Sequence, residues 1–224
     1  MILLTDHILY DYARAPNPMK VNIYLAEKGI DVERVQINLS THQHQMDEEH
    51  MKINPLRQIP MLVVDDITIY ETAAICRYFE AMYPREPLFG DTPIQQARIE
   101  MWRRRVEFTG LSGVDDMLKN FAPHFKNRAV SGSEPTPQIP ELVQRGKLKL
   151  ERFYAFMEDR FSESEYVAGK KFTVADIEAY VVYKFAPYYC NMSGTENYNH
   201  ARRWYEQLES RPAFEQFKNM ELKK

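Results

Sequence analysis

Residues 54–75 run Asn54-Pro55-Leu56-Arg57-Gln58-Ile59-Pro60-Met61-Leu62-Val63-Val64-Asp65-Asp66-Ile67-Thr68-Ile69-Tyr70-Glu71-Thr72-Ala73-Ala74-Ile75, and the architecture of the first third of the chain follows from them. A proline at the mouth of a strand cannot donate to the ladder, so Pro60 belongs at an edge or a bend. Met61-Leu62-Val63-Val64 reads as a strand, Asp65-Asp66 as a turn and residues 67–70 as the returning strand, which makes a hairpin. Thr72 then opens a helix with Ala73, Ile75, Cys76, Phe79 and Met82 at helical spacing, ending before Pro84.

Upstream of the hairpin, Ile8-Leu9-Tyr10-Asp11-Tyr12 reads as a short strand. After Pro16-Asn17-Pro18, the residues Val21, Tyr24, Leu25 and Lys28 recur at helical spacing, and Gly29 stops the helix. Asn17 precedes Pro18, a good first helical residue, so the spacing predicts Asn17 as the N-cap. Val32, Val35 and Ile37 mark a second strand, and the polar stretch 40–52 reads as an irregular helix. The resulting order, β-α-β-α-β-β-α, demands a parallel opening pair with a right-handed crossover, to which the hairpin adds antiparallel strands.

Downstream, residues 85–93 read as a linker rich in proline, and beyond it strand signals stop. Ile94, Ala97, Met101, Phe108 and Leu111 fit one helical face, broken near Gly110 and Gly113. Residues 131–140 form a loop, Leu150, Phe153 and Met157 mark another helix, and further helices start at Thr173 and cover 202–208. The expected organisation is an α/β domain over 1–84 and an all-α domain over 94–224. Thr173 and Asp176 form a capping box, with Phe172 placed to staple onto Ile177.

Charge and composition exclude several function classes. Lys and Arg total 29 against 32 Asp and Glu, a net charge of −3, so no bulk positive field exists to hold nucleic acid or an anionic membrane. Hydrophobic residues are 44% of the chain, enough for a globular core, yet no window is long and apolar enough to span a bilayer. Asp6 and His7 interrupt the place a signal peptide needs, and Cys76 and Cys190 form no close pair, so a cytoplasmic protein without a disulfide framework is expected. Cys76 sits among apolar helix positions and reads as core. His42, His44 and His50 lack a cysteine or carboxylate partner in a fixed frame, so they read as a polar loop and no metal is expected.

The chemistry concentrates at the hairpin. A cis bond at Ile59-Pro60 is predicted, leaving the Ile59 N–H and C=O free to pair with an extended peptide. Glu71 and Thr72 stand at a helix start, where N–H groups and the threonine hydroxyl favour a carboxylate while Glu71 can hold an ammonium. Together they describe a receptor for an α-amino-acid end joined to an extended peptide.

Residues 54–60, the run Glu71-Thr72-Ala73-Ala74-Ile75 and the run Phe172-Thr173-Val174-Ala175-Asp176 resemble the motifs of the cytosolic glutathione transferase family across nearly the whole chain. That family joins a thioredoxin-like domain to a helical one. It usually carries glycine where Arg57 stands, and often serine where Thr72 stands. The resemblance implies glutathione as co-substrate, with its γ-glutamyl end on Glu71 and Thr72, its cysteinyl backbone on Ile59 beside Pro60, and further contacts from Gln58 and from Gln45 or His44. It also implies a homodimer, formed by the helix around Arg77 and Met82 against the helix around Met101. The second substrate, a small electrophile or a disulfide, would lie against Trp102 or Tyr188, which otherwise read as core. A binding or regulatory module without turnover is the rival reading, because the fold hosts both.

Catalysis by glutathione requires a thiolate. A thiol near pKa 8.5 is only about 3% ionised at pH 7, and lowering it by two units takes roughly 2.7 kcal/mol. The slot where many members of the family carry a serine holds Ala15. The run Ala15-Pro16-Asn17 is similar to bacterial nu-type and related fungal members, in which the asparagine approaches the glutathione sulfur. Asn17 is therefore the expected thiol partner, and Tyr12 is the alternative.

Overall fold

The computed structural model describes residues 2–38, 52–132 and 134–218. The chain divides into two units, Met1–Glu86 with Val130–Pro135, and Pro87–Ala129 with Thr136–Lys224. The expected irregular helix over 40–52 falls almost wholly outside the described residues.

In the first unit, β1 (Ile2–Asp11), α1 (Pro16–Lys28), β2 (Ile30–Gln36), β3 (Met61–Val64), β4 (Ile67–Ile69) and α2 (Thr72–Met82) follow in order. The strands form one mixed sheet in the order β2-β1-β3-β4. The β1–β2 pair is parallel, and β3 pairs antiparallel with both β1 and β4, so the topology is the expected one. β1 starts six residues before the apolar run at Ile8. Its register with β2 passes from Leu4↔Val32 to Ile8↔Glu33, which leaves Thr5, Asp6 and His7 in an irregularity of the ladder.

Helices α1 and α2 bury their apolar positions with the sheet. Leu9, Met19, Val21, Ile23, Tyr24, Leu25, Met61, Leu62, Ile75 and Phe79 have no exposed surface. Tyr24 donates its hydroxyl to Glu80 at 2.6 Å and the Lys28 ammonium lies 2.9 Å from the same carboxylate, tying α1 to α2. Gly29 closes α1 in the left-handed region, φ 62°, where a side chain is disfavoured. The start of α1 differs from expectation. Ala15, extended at φ −93° and ψ 151°, is the N-cap, Pro16 the first helical residue and Asn17 the second. Asn17 therefore does not cap the helix.

The second unit is all helical: α3 (Pro93–Arg105), a π-helical segment (Val106–Leu111), α4 (Ser112–Phe121), α5 (Glu141–Glu163), α6 (Val174–Cys190) and α7 (Asn199–Glu209). Gly110 and Gly113 do not break the helix, which runs from α3 through the π segment into α4. They serve close packing instead. A Cβ on Gly110 would meet Phe153 and Val182 at 3.0 Å, and one on Gly146 of α5 would meet the Gly113 carbonyl at 2.7 Å. Of the consecutive Arg103, Arg104 and Arg105 at the end of α3, Arg103 is buried against Glu178 of α6 at 3.0 Å while it donates to Glu100 of its own helix.

The capping box at α6 is present. The Asp176 carboxylate accepts from the Thr173 N–H at 2.9 Å, the Val167 N–H at 2.8 Å and the Trp204 indole N–H at 2.9 Å. Phe172, the expected staple, turns its ring to Tyr166 and Phe214 and lies under the Arg211 guanidinium.

Candidate active site

Two helix N-termini and one loop bound an open cleft of about 330 Å³ in the first unit. Its wall brings together Asn17, Gln58, Ile59, Pro60, Glu71 and Thr72, six of the residues singled out by sequence. Asn54, Leu56 and Tyr70 complete it. Their signal was available in part: Asn54 and Leu56 sit inside the quoted motif, and Tyr70 directly precedes Glu71.

The loop over 53–60 is fastened at its carbonyls. Buried Asn54 donates its side-chain amide to the Gln58 carbonyl, Tyr70 donates its hydroxyl to the Ile53 carbonyl, and the Arg57 N–H reaches the Asn54 carbonyl at 2.9 Å. Arg57 occupies the left-handed region at φ 56°, which explains why glycine suits this position. The Ile59-Pro60 bond is cis. No described residue pairs with the Ile59 N–H or C=O.

The two helix starts differ in what they present. At α2, Glu71 is the N-cap with φ 68° and ψ 127°, and no side chain caps the helix. The Ile75 N–H already bonds the Glu71 carbonyl at 3.0 Å. The N–H groups of Thr72, Ala73 and Ala74 have no acceptor among the described residues, so they and the Thr72 hydroxyl face outward as a donor set.

At α1 the donors are nearly spent. The Ala15 N–H bonds the Tyr12 carbonyl at 2.8 Å and the Met19 N–H bonds the Ala15 carbonyl at 3.0 Å. Pro16 and Pro18 have no N–H to give. Asn17 alone keeps a backbone N–H without a partner among the described residues, and its exposed side-chain amide stands at the same place. An anion at this end of the cleft therefore meets the N–H and the amide of one residue.

The remaining candidates lie elsewhere. Tyr12 is half-buried just past β1 and is not part of the cleft wall. Trp102 is 6% exposed, stacked on Phe156 at 5.5 Å, with the Arg105 and Arg160 guanidinium groups 5.1 and 4.7 Å from its ring. Tyr188 is half-buried and packs edge-on against Tyr189 at 4.9 Å. Both belong to the helical unit. Gln45, His42, His44 and His50 lie outside the described residues. Neither cysteine lines the cleft: Cys76 is buried in α2, and burial together with Asp115 pushes the Cys190 thiol up to about 12.

A four-stranded thioredoxin-like unit with such a cleft, followed by an all-helical unit, defines the fold class. Comparison with known proteins makes the class specific. The family of the glutathione S-transferase N-terminal domain matches residues 6–81, and that of the glutathione S-transferase C-terminal domain matches residues 121–212. The chain is 31% identical to glutathione S-transferase 2 of Saccharomyces cerevisiae, over 92% of this chain and 87% of that one. It is 41% identical to maleylacetoacetate isomerase of Mus musculus over 42% of this chain and 44% of the relative. A crystal structure of a class Gtt2 glutathione S-transferase of Vibrio parahaemolyticus superposes with a TM-score of 0.77 at 32% identity, covering 92% of this chain and 94% of the other. The chain belongs to the glutathione S-transferase family, whose members are glutathione-dependent enzymes.

Proposed function

We propose that the cleft holds glutathione by its γ-glutamyl end at Glu71 and Thr72 and by its cysteinyl backbone at Ile59, with the thiolate at Asn17. The observation that carries this reading is the single wall shared by Asn17, Gln58, Ile59, Pro60, Glu71 and Thr72. A carboxylate suits the donor set of α2, an ammonium suits the Glu71 carboxylate, and an extended backbone suits the unpaired Ile59 edge. The thiolate needs about 2.7 kcal/mol of differential stabilisation to ionise at neutral pH. A hydrogen bond to a charged acceptor contributes about 1.5–3 kcal/mol and the helix N-terminus about 0.3–1. The N–H and amide of Asn17 reach that sum without a hydroxyl at residue 15.

Two reactions use such a thiolate. Attack on an electrophilic carbon forms a C–S bond, and the leaving group departs with the bonding pair. Attack on a disulfide forms a new S–S bond and expels the other sulfur as thiolate, with a second glutathione completing the reduction. Neither attacking step needs a proton shuttle, so the site serves both. The enzyme is read as a cytoplasmic homodimer acting on small electrophiles or disulfides in a detoxifying role. Exposed Met82 and Met101 support the dimer face expected on α2 and α3. No helix among the described residues is long and apolar enough to cross a membrane.

Calorimetric titration of the wild-type protein with glutathione tests the site, and turnover of a chloro-dinitrobenzene and of a mixed disulfide tests the chemistry. Saturable binding with turnover of either substrate is expected. No binding at millimolar glutathione would overturn the reading.

A further inference from the structure

A buried polar cluster lies one helical turn beyond Asn17. Asn22 of α1 is 5% exposed and Asp11 at the end of β1 is 1% exposed. The Asn22 amide nitrogen donates to the Pro18 carbonyl at 2.9 Å and to Asp11 Oδ2 at 3.0 Å. Arg34 of β2 donates through Nη1 to Asn22 Oδ1 and, at 3.3 Å, to Asp11 Oδ2. The Asp11 carbonyl also accepts from the Ile37 N–H at 2.8 Å. Both amide hydrogens and the amide oxygen of Asn22 are thus used, which leaves its side chain one orientation.

This cluster holds the first turn of α1 at a carbonyl, that of Pro18, rather than at the N–H groups a cap would bind. Ala15 offers no side-chain cap, and the first turn holds two prolines. Without a cap, a helix start is held only by the bonds its first few carbonyls accept, and frays. The Asn22 amide bonds the carbonyl of Pro18, the residue next to Asn17, and ties it to two strands of the sheet. We propose that Asn22 is a positioning residue, which, oriented by Asp11 and Arg34, fixes the first turn of α1 and so fixes Asn17 at the thiol end of the cleft. The proposal rests on the reading of that cleft as the glutathione site.

The test measures two quantities in the full-length protein. One is the pKa of the bound glutathione thiol, followed by the ultraviolet absorbance of the thiolate. The other is the affinity for a glutathione analogue with a methyl group in place of the thiol. Asn22→Leu should raise the thiol pKa by about one unit, a tenfold loss of thiolate, while the analogue affinity stays within about twofold. Asp11→Leu and Arg34→Met, which keep Asn22, should shift the pKa in the same direction by less. A charge effect alone would move those two in opposite directions and would overturn the proposal, as would an equal loss of analogue affinity. These two variants decide the matter if Asn22→Leu does not fold.

Asn17→Ala serves as the reference. If it raises the thiol pKa while none of the three network variants does, the inference falls and the cleft reading stands. If wild-type protein binds no glutathione, both fall.

Discussion

Trp204 donates its indole N–H to the Asp176 carboxylate at 2.9 Å, and neither side chain has exposed surface. The same carboxylate holds the Thr173 N–H at the start of α6 and the Val167 N–H of the preceding loop. One buried acid therefore joins the start of α6, that loop and α7. Burial pushes its carboxyl up to about 6, against the pull of those donors. The native state keeps this proton to a higher pH than the unfolded chain, which releases it near the ordinary value of about 3.9. Between those values the native state binds more protons, so the contribution of this group to stability falls as pH rises through the window.

Asp176→Asn removes that titration along with some of the donors' acceptors. The variant should be less stable than wild type at pH 4, and the deficit should shrink by about 2–3 kcal/mol by pH 7, a shift of about two pKa units. Urea unfolding across pH 4 to 7.5 measures it. A deficit that is constant with pH would count against the assignment.

Glu71→Ala and Thr72→Ala should raise the KM for glutathione more than they lower kcat at saturating glutathione, because in the proposed binding mode both hold the end of the tripeptide remote from the sulfur. The loss of one charge-assisted contact corresponds to about 1.5–3 kcal/mol, or roughly tenfold and upward. Steady-state kinetics with glutathione varied gives the answer, and an unchanged KM in both variants would move the binding end elsewhere.

Asn17→Ala should lose about tenfold in both conjugation and disulfide reduction, since it removes the amide but keeps the residue 17 N–H. Tyr12→Phe should leave both activities near wild type, consistent with its place outside the cleft wall. The opposite pattern, with Asn17→Ala active and Tyr12→Phe dead, assigns the thiol donor to Tyr12.

Ala15→Ser places a hydroxyl at an N-cap whose backbone is already extended and which has no side-chain cap. It should stabilise the protein by about 1 kcal/mol, read as a higher midpoint in thermal or urea unfolding. No gain would mean that the hydroxyl does not reach the Asn17 N–H, the one first-turn donor the two prolines leave it.

Much of this architecture was legible because local chemistry and tertiary context agree. Asp65-Asp66 between apolar runs made the β3–β4 hairpin readable, and Thr173 three residues before Asp176 made the α6 cap readable. The disagreements have physical causes. Asn17-Pro18 has the local form of an N-cap followed by a first helical residue, but the chain turns at the Tyr12–Ala15 bond and starts the helix earlier. Gly110 and Gly113 look like breakers in one dimension, whereas in three they are the positions where neighbouring helices come too close for a side chain. Thr5, Asp6 and His7 hid the first half of β1, because the ladder accommodates them in an irregularity that no period-two pattern shows. Gln58, Ile59 and Pro60 were readable as cleft residues, whereas Asn54 and Leu56 of the same run were not singled out. Tyr70 was not readable, since its use depends on a hydroxyl reaching a carbonyl 17 positions earlier in the chain.

The unequal helix starts have an evolutionary corollary. At α2 the donors are mostly backbone N–H groups, which no single side-chain substitution other than proline removes. At α1 the two prolines leave donation to residue 17, half of it from a side chain. On the reading given above, recognition of the tripeptide is thus buffered against mutation while activation of its sulfur is not. A change in the single codon for Asn17 would lower turnover about tenfold while leaving the tripeptide bound, so binding and catalysis can drift apart at this one position.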